Sequence, residues 1–151
     1  MSRPVVTQHM ALCDAIVATL TVAPKLADGE VVSYRRRSMP PNVNRRVYVY
    51  LEDSTNDRGA IKGAPMDWRT RIRIECVARD IPGVMSEVVA DALLAQVYAR
   101  IMADTTLGNL ALDVFPEAVA WTGDEADTTL TAAQMILTIL HVTYEGVIAS
   151  A

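Results

Sequence analysis

The residues with the greatest chemical potential in this chain are arginines that occur in close groups. Their planar guanidinium groups bind carboxylates or phosphates through paired hydrogen bonds, so a cluster predicts a surface for an acidic partner or an anion. A merely solvated surface would ordinarily include lysines, yet only two of the 14 basic residues are lysines. The candidate interface residues are Arg35, Arg36, Arg37, Arg45, Arg46, Arg69, Arg71 and Arg73.

Acidic residues supply the complementary group, and they concentrate in the second half of the chain. Residues 1–79 carry 13 basic and 8 acidic side chains, a net charge of +5, whereas residues 80–151 carry 1 basic and 10 acidic ones, a net charge of −9. Two interpretations are open: the opposite charges join neighbouring copies of the chain, or they cancel within one domain. The acidic interface candidates are Glu117, Asp124, Glu125 and Asp127.

Other residue patterns that support catalysis or cofactor binding do not occur in this sequence. None of the seven glycines forms a GxxxxGK or GxGxxG nucleotide loop, and no serine lies in a GxSxG elbow. His9 and His141 lack the spacing of a zinc site, and a buried, hydrogen-bonded role is more common for such histidines. The acidic residues 124–127 lack the pattern of a calcium loop. We therefore predict no enzyme activity, no metal and no cofactor.

The composition predicts one globular domain over residues 1–151. The chain has 151 residues, of which 51% are hydrophobic, enough for a substantial core. Its apolar stretches are too short to span a bilayer, and the N-terminus lacks a secretion signal, so we expect no membrane partner. Cys13 and Cys76 lie in apolar patterns and are predicted to be buried thiols in a reducing compartment.

Periodicity in the first half predicts one helix and then three strands. Apolar residues recur at three- and four-residue steps over 7–20, with Thr7 as a possible N-cap. Strands are expected over 30–37 and 43–51, and strict alternation over 68–79 places arginines on one face and apolar residues on the other. The segment between the last two strands, residues 52–66, has no periodicity. It predicts a flexible, functional loop or the outer part of a long hairpin.

The second half predicts a helix and two further strands. The helix covers 86–103, with Ser86 as a plausible N-cap, and a strand over 111–121 is bent at Pro116. The final strand, 130–144, is apolar on both faces, which favours a central position with cover on both sides. The expected apolar stripe of the helix consists of Val89, Ala92, Leu93, Gln96, Val97, Arg100 and Ile101.

This order of elements predicts the fold class. Strands occur in groups without a helix between each pair, which is typical of antiparallel sheets. We therefore expect an α+β fold, a mostly antiparallel sheet of four to five strands with two main helices packed on one face.

The order and spacing of the segments also resemble a known family, the tail terminator proteins of long-tailed bacteriophages. These are the lambda-like minor tail proteins that cap the tail tube. The resemblance rests on a proline-led strand, an alternating strand that starts Asp-Trp, a long helix, and an acidic loop before the last strand. The matching stretches are Pro41 to Leu51, Asp67 to Val77, Ser86 to Leu107 and Trp121 to Glu145.

The resemblance implies a structural, non-enzymatic protein of the virion, located at the tail–neck and assembled in the host cytoplasm. Such proteins form a six-membered ring that stops polymerisation of the tail tube protein and offers the surface that joins the head. The implied partners are copies of the chain itself, the tail tube protein and a head–neck connector protein. DNA would pass through the lumen without sequence-specific binding.

Two alternatives are kept beside this interpretation. One is a head-closure or tail-completion protein at the neck. The other is a small cytoplasmic α+β protein whose arginine face binds an anionic ligand or nucleic acid, although few aromatic residues for base stacking accompany those arginines.

Overall fold

The computed structural model describes residues 5–35, 37–57, 65–123, 127 and 129–143. The elements follow the predicted order of a helix, three strands, a helix and two strands, with one short 3₁₀ turn after the first helix. They are α1 (Gln8–Thr21), the 3₁₀ turn (Leu26–Gly29), β1 (Val31–Val32), β2 (Arg45–Asp57), β3 (Met66–Arg79), α2 (Ser86–Met102), β4 (Asp113–Gly123) and β5 (Leu130–Thr143).

The strands form one five-stranded sheet in the order β1-β2-β3-β5-β4. β1 pairs with β2 in parallel, and the other three pairings are antiparallel. The predicted α+β class with a mostly antiparallel sheet is therefore confirmed. β1 and β4 are the two edges, and four steps of about 4.8 Å place them roughly 19 Å apart.

Both helices pack on the same face of the sheet and enclose the main core. Leu12, Ile16 and Leu20 of α1 are fully buried there together with Val97 and Ile101 of α2. Alternate residues of the strands complete this core, because successive side chains of a strand point to opposite faces. The fully buried strand residues include Val47, Val49, Ile72, Ile74, Leu137 and Ile139.

The helix boundaries depend on specific polar contacts. Thr7 caps α1 as predicted, since its hydroxyl accepts a hydrogen bond from the amide of Met10 at 3.2 Å. Ser86 is not the N-cap of α2, and that prediction is wrong. Its amide donates to the carboxylate of Asp80 at 2.7 Å, and its hydroxyl lies 2.7 Å from that of Thr131. The serine is buried against β5, so it joins the helix to the sheet.

The buried stripe of α2 is rotated relative to the predicted one. Leu93, Val97 and Ile101 are buried as expected, whereas Ala92 and Gln96 are exposed. Packing against β3 and β5 determines which face of α2 is buried. The sequence does not predict that face well, because alanine and glutamine occur on buried and exposed faces alike.

The predicted loop over 52–66 is wrong for its described parts, because β2 continues to Asp57 and β3 begins at Met66. The alternative of a long hairpin is confirmed there: residues 53–57 pair with residues 67–71 after an irregularity at Leu51. Pairing with a neighbouring strand overrides the weak strand propensity of this polar segment. Residues 58–64 lie outside the described part of the chain. Conversely, the strand predicted over 30–37 is limited to two residues.

The second face of the sheet has partial cover. Residues 37–43 lie over one end of it, where Met39 and Tyr48 enclose a small second core with Val77, Leu130 and Ala132. β5 lies inside the sheet as predicted, between β3 and the edge strand β4. Double cover holds only at that end, since Gln134, Ile136, Leu140 and Val142 on the same face are half-buried. We call this surface, away from the helices, the open face.

The remaining sequence predictions concern cysteines and membranes. Both cysteines are free, buried thiols, as expected. No helix in the described residues is long and apolar enough to cross a membrane.

The buried residues of β5, a strand in the interior of the sheet, allow a direct test of the fold. Leu137→Ala should lower the free energy of unfolding by about 2–5 kcal/mol, because it removes a fully buried side chain from the core. The matched control is Leu112→Ala, whose side chain is 67% exposed and should change stability by less than about 0.5 kcal/mol. Urea unfolding of both variants measures the difference, and equal losses would contradict the assigned core.

Candidate functional site

The candidate arginines of β3 all lie on the open face. Residues of β3 alternate, so Arg69, Arg71 and Arg73 point away from the helices while Thr70 and Ile72 are buried beneath them. Acidic side chains of the neighbouring strands lie on this same face. The strand register therefore decides which carboxylate each guanidinium meets.

Arg73 makes the most complete of these contacts. Its guanidinium donates to both carboxylate oxygens of Glu52 on β2, at 2.9 and 3.2 Å. A third hydrogen bond, of 2.7 Å, reaches the side-chain oxygen of Gln134 on β5. The hydrogen bonds from Arg73 hold the pKa of Glu52 below its usual value. Arg73 thus links three adjacent strands while its own charge is neutralised.

Arg71 makes a second link, which reaches the sheet edge. It contacts Asp53 on β2 and Glu117 on β4, both at 2.9 Å. The hydroxyl of Thr138 on β5 donates to the same oxygen of Glu117 at 2.9 Å. This hydroxyl, and then Arg71, lower the pKa of Glu117. Glu117 sits where the β4–β5 register shifts beside Pro116, and this irregularity places its carboxylate between the two partners.

Further ion pairs lie around the margin of the sheet. Arg46 contacts Glu30 at 2.8 Å and Arg79 contacts Asp127 at 3.0 Å, whereas Arg45 lies at 3.6 Å from the exposed Asp28. These pairs connect segments that are distant in sequence.

Within one subunit, therefore, much of the opposite charge cancels. Glu117 and Asp127, two of the acidic interface candidates, lie against Arg71 and Arg79 of their own chain. The interpretation of internal cancellation is correct for these pairs, and a role for the same residues at a subunit contact stays a prediction. The candidates Arg36, Asp124 and Glu125 lie outside the described residues.

A second group of arginines remains exposed next to β1. The guanidinium carbon of Arg35 lies 5.7 Å from the ring centre of Tyr50, and that of Arg37 lies 5.8 Å from the ring centre of Tyr34. Tyr34 is 43% exposed and stands edge-on to Tyr48. Within the described part of the chain, neither guanidinium has a hydrogen bond or an ion pair. We call Tyr34, Arg35 and Arg37 the basic edge.

Arg69 is likewise exposed and has neither a hydrogen bond nor an ion pair with the described residues. Its charge contributes to the lowered pKa of Glu117. Within the described residues, the candidate arginines are therefore divided into two groups. Arg45, Arg46, Arg71 and Arg73 have acidic partners in their own chain, and Arg35, Arg37 and Arg69 are exposed.

The opposite edge of the sheet carries an apolar groove that the sequence analysis did not identify. It lies between α2 and β4 and has a volume of about 260 Å³. Buried Leu94 and Met135 contribute to its lining, and Tyr98, Val119 and Trp121 are 41%, 42% and 53% exposed. Asp91 adds an exposed carboxylate, and Glu87 lies one helical turn before it on α2. We call this surface, Asp91, Tyr98, Val119 and Trp121 with their buried neighbours, the acidic groove.

A signal for the acidic groove is present in the sequence but is ambiguous there. Val119 and Trp121 share one face of β4, and Asp91 and Tyr98 stand two helical turns apart on α2. Such spacing equally describes a buried strand and a helix packed on it. The groove exists because α2 packs mainly over β3 and β5, so this face of the edge strand is left uncovered.

A buried polar cluster of His9, Ser54, Thr70 and His141 lies between α1 and the sheet. The hydroxyl oxygen of Thr70 lies 2.9 Å from Nδ1 of His9, 2.6 Å from Nε2 of His141 and 2.8 Å from the hydroxyl of Ser54. A hydroxyl donates one hydrogen bond and accepts two, so these three neighbours satisfy it completely. Thr70 is fully buried, and its contacts join α1 to three strands. This arrangement suits a structural joint better than a nucleophile.

The cluster is also a poor metal site. Nδ1 of His141 is buried and has no hydrogen-bond partner among the described residues. The described residues, this cluster included, contain no group of three or more His, Cys, Asp or Glu side chains that could hold a metal ion. Burial, and then the nearby His9, lower the pKa of His141 to about 4, and burial also lowers the pKa of His9.

No protein-family model matches the chain, and no curated protein matches it. Among solved structures, it is similar to a chain described as "Virion of native gene transfer agent (GTA) particle". The two are 14% identical, with a TM-score of 0.48, and the match covers 87% of this chain and 95% of the other.

The contacts of Arg73 generate a test of the open face. Arg73→Lys keeps the charge but loses the paired hydrogen bonds to Glu52, and it should lower the free energy of unfolding by roughly 1 kcal/mol. Arg69→Lys is the matched control, since Arg69 is exposed, and it should change stability by less than about 0.5 kcal/mol. Chemical denaturation of both variants measures this, and equal stability would contradict the assigned role of Arg73.

The buried histidine generates a test of pH dependence. The pKa of His141 is about 4 when folded and near its ordinary 6.5 when unfolded, so the unfolded chain binds the proton first. Stability should therefore fall as the pH drops from 6.5 to 5, by about 1–2 kcal/mol from this group. His141→Gln should weaken that dependence in urea unfolding followed at each pH. The same pH dependence in both proteins would show that His141 does not cause it.

Proposed function

We propose that this protein is a structural component of a phage-like virion that forms a ring on the end of the tail tube. In this role the ring terminates polymerisation of the tube protein and supplies the surface to which the head is joined. The resemblance of segment order to the tail terminator proteins motivates the proposal, and it implies a ring of six subunits around the DNA.

The structural observation that carries the proposal is the placement of charge left after internal pairing. Exposed arginines remain at the basic edge beside β1, and exposed carboxylates remain at the acidic groove beside β4. A contact between opposite charges at opposite edges is heterologous, and heterologous contacts close into rings when the rotation allows it. A two-fold dimer would instead place each charged edge against itself.

The alternative of an anion-binding protein receives less support from the same contacts. Arg71 and Arg73 already bind carboxylates of their own chain, so the open face offers fewer free guanidinium groups than the sequence suggested. Phosphate binding there would have to displace these internal partners. A head-closure protein at the neck would use the same charged surfaces as a tail terminator. The two roles differ in which neighbouring protein is bound.

The native mass of the purified protein tests the proposal. Light scattering over a range of protein concentrations should show a discrete oligomer of about six subunits, and high salt should shift it toward monomers because contacts between exposed charges are screened. A monomer at every concentration and salt would contradict self-assembly. Salt-sensitive binding of a DNA duplex by that monomer would then favour the anion-binding alternative.

A further inference from the structure

The exposed aromatic and basic side chains at one edge of the sheet complement the acidic groove at the other edge. At the basic edge, Tyr34 presents an exposed ring, with the guanidinium of Arg37 lying over it. At the acidic groove, Tyr98 and Trp121 flank an apolar depression next to the carboxylate of Asp91. Aromatic and arginine side chains that fill apolar pockets are the usual energetic centres of protein interfaces.

We propose that the basic edge of one subunit docks into the acidic groove of the next, with Tyr34 in the groove and Arg37 paired with Asp91. This inference rests on the proposed ring and identifies its contact surfaces. The occupant is a second copy of this chain, because the exposed groups of the basic edge are complementary to the groove in charge and in chemical type.

The position of the two surfaces suits a repeating contact. β1 and β4 are the opposite edges of the sheet, so each subunit offers one of each surface to two different neighbours. In the described part of the chain, Arg35 and Arg37 have ring contacts but no hydrogen bond or ion pair, and Trp121 in the groove is 53% exposed. The contact therefore propagates from subunit to subunit, as a closed ring requires.

The β4 edge also indicates how the docking occurs. Pro116 lacks an amide hydrogen, and the strand register shifts next to it, so β4 cannot pair with a new strand along its whole length. The exposed side chains on the groove side of β4, Val119 and Trp121, are continuous with the exposed flank of α2. Side-chain insertion into the groove, rather than extension of the sheet, is the contact that this geometry favours.

A charge exchange between the two surfaces tests the contact. Arg37→Glu and Asp91→Arg should each raise the protein concentration needed for assembly at least about tenfold, since each places like charges together. Both substitutions in one chain should restore assembly to within about threefold of the unmodified protein, because the pair is then complementary again. Lys25→Glu is the matched control for the change of charge, because this exposed residue lies outside both surfaces, and it should leave assembly unchanged. Thermal unfolding of every variant at a dilution that keeps it monomeric checks that the subunits fold.

The fluorescence of Trp121 gives a second, independent measurement of the same contact. Assembly should shift the tryptophan fluorescence to shorter wavelength and protect it from acrylamide, and Trp121→Phe should abolish most of that change. If acrylamide still quenches Trp121 in the assembled protein, no neighbouring subunit occupies the groove and the proposed contact is wrong.

The outcomes separate this contact from the proposed function. If the unmodified protein assembles and neither single charge reversal alters the assembly, the ring stands and the proposed docking is wrong. If the unmodified protein does not assemble at any concentration, the proposed function fails and the docking fails with it. If both reversals weaken assembly but the double variant does not recover, Arg37 and Asp91 are not partners.

Discussion

The rest of this structure depends on one physical constraint: the apolar side chains on the open face of the sheet must be shielded from water. Two helices protect one side of a five-stranded sheet, and within the described residues the other side has only partial cover from residues 37–43. Apolar side chains of β5, such as Ile136 and Leu140, lie on that face. The aliphatic stems of the neighbouring arginine side chains can shield them from water. Arg71 and Arg73, which are only partly exposed there, require carboxylates beside them, whereas the exposed Arg69 does not. The contacts of Arg71 and Arg73 with three neighbouring strands satisfy that requirement.

This internal pairing determines which charges remain without an ion pair in the described residues. The chain is strongly bipolar in sequence, but its β3 arginines meet acids from both halves, including Glu52 and Glu117. The excess therefore appears at the edges, where Arg37 lies on one side and Asp91 on the other. In the proposed ring, the same residue types serve two purposes: paired arginines hold the sheet together, and exposed ones select the neighbouring subunit.

The sequence predicted the parts of this fold that have strong local periodicity. Strict alternation over β3 and the cap at Thr7 follow from local rules, and both are confirmed. The extension of β2 to Asp57 was missed because its residues are polar and are held in the strand by pairing with β3. Which carboxylate meets Arg71 depends on the strand order and on the irregularity beside Pro116, and neither can be deduced from spacing alone. The acidic groove was missed because its exposure depends on where α2 lies.

A double-mutant cycle on Arg71 and Glu117 tests the central claim that these charges are paired within one subunit. The free energies of unfolding of the two single variants, Arg71→Gln and Glu117→Gln, and of the double variant give the coupling between the side chains. The measurement is made by urea unfolding at dilutions where only the monomer is present. The account predicts a favourable coupling that does not change with protein concentration. A coupling that is zero in the monomer and appears only in the assembled protein would contradict it.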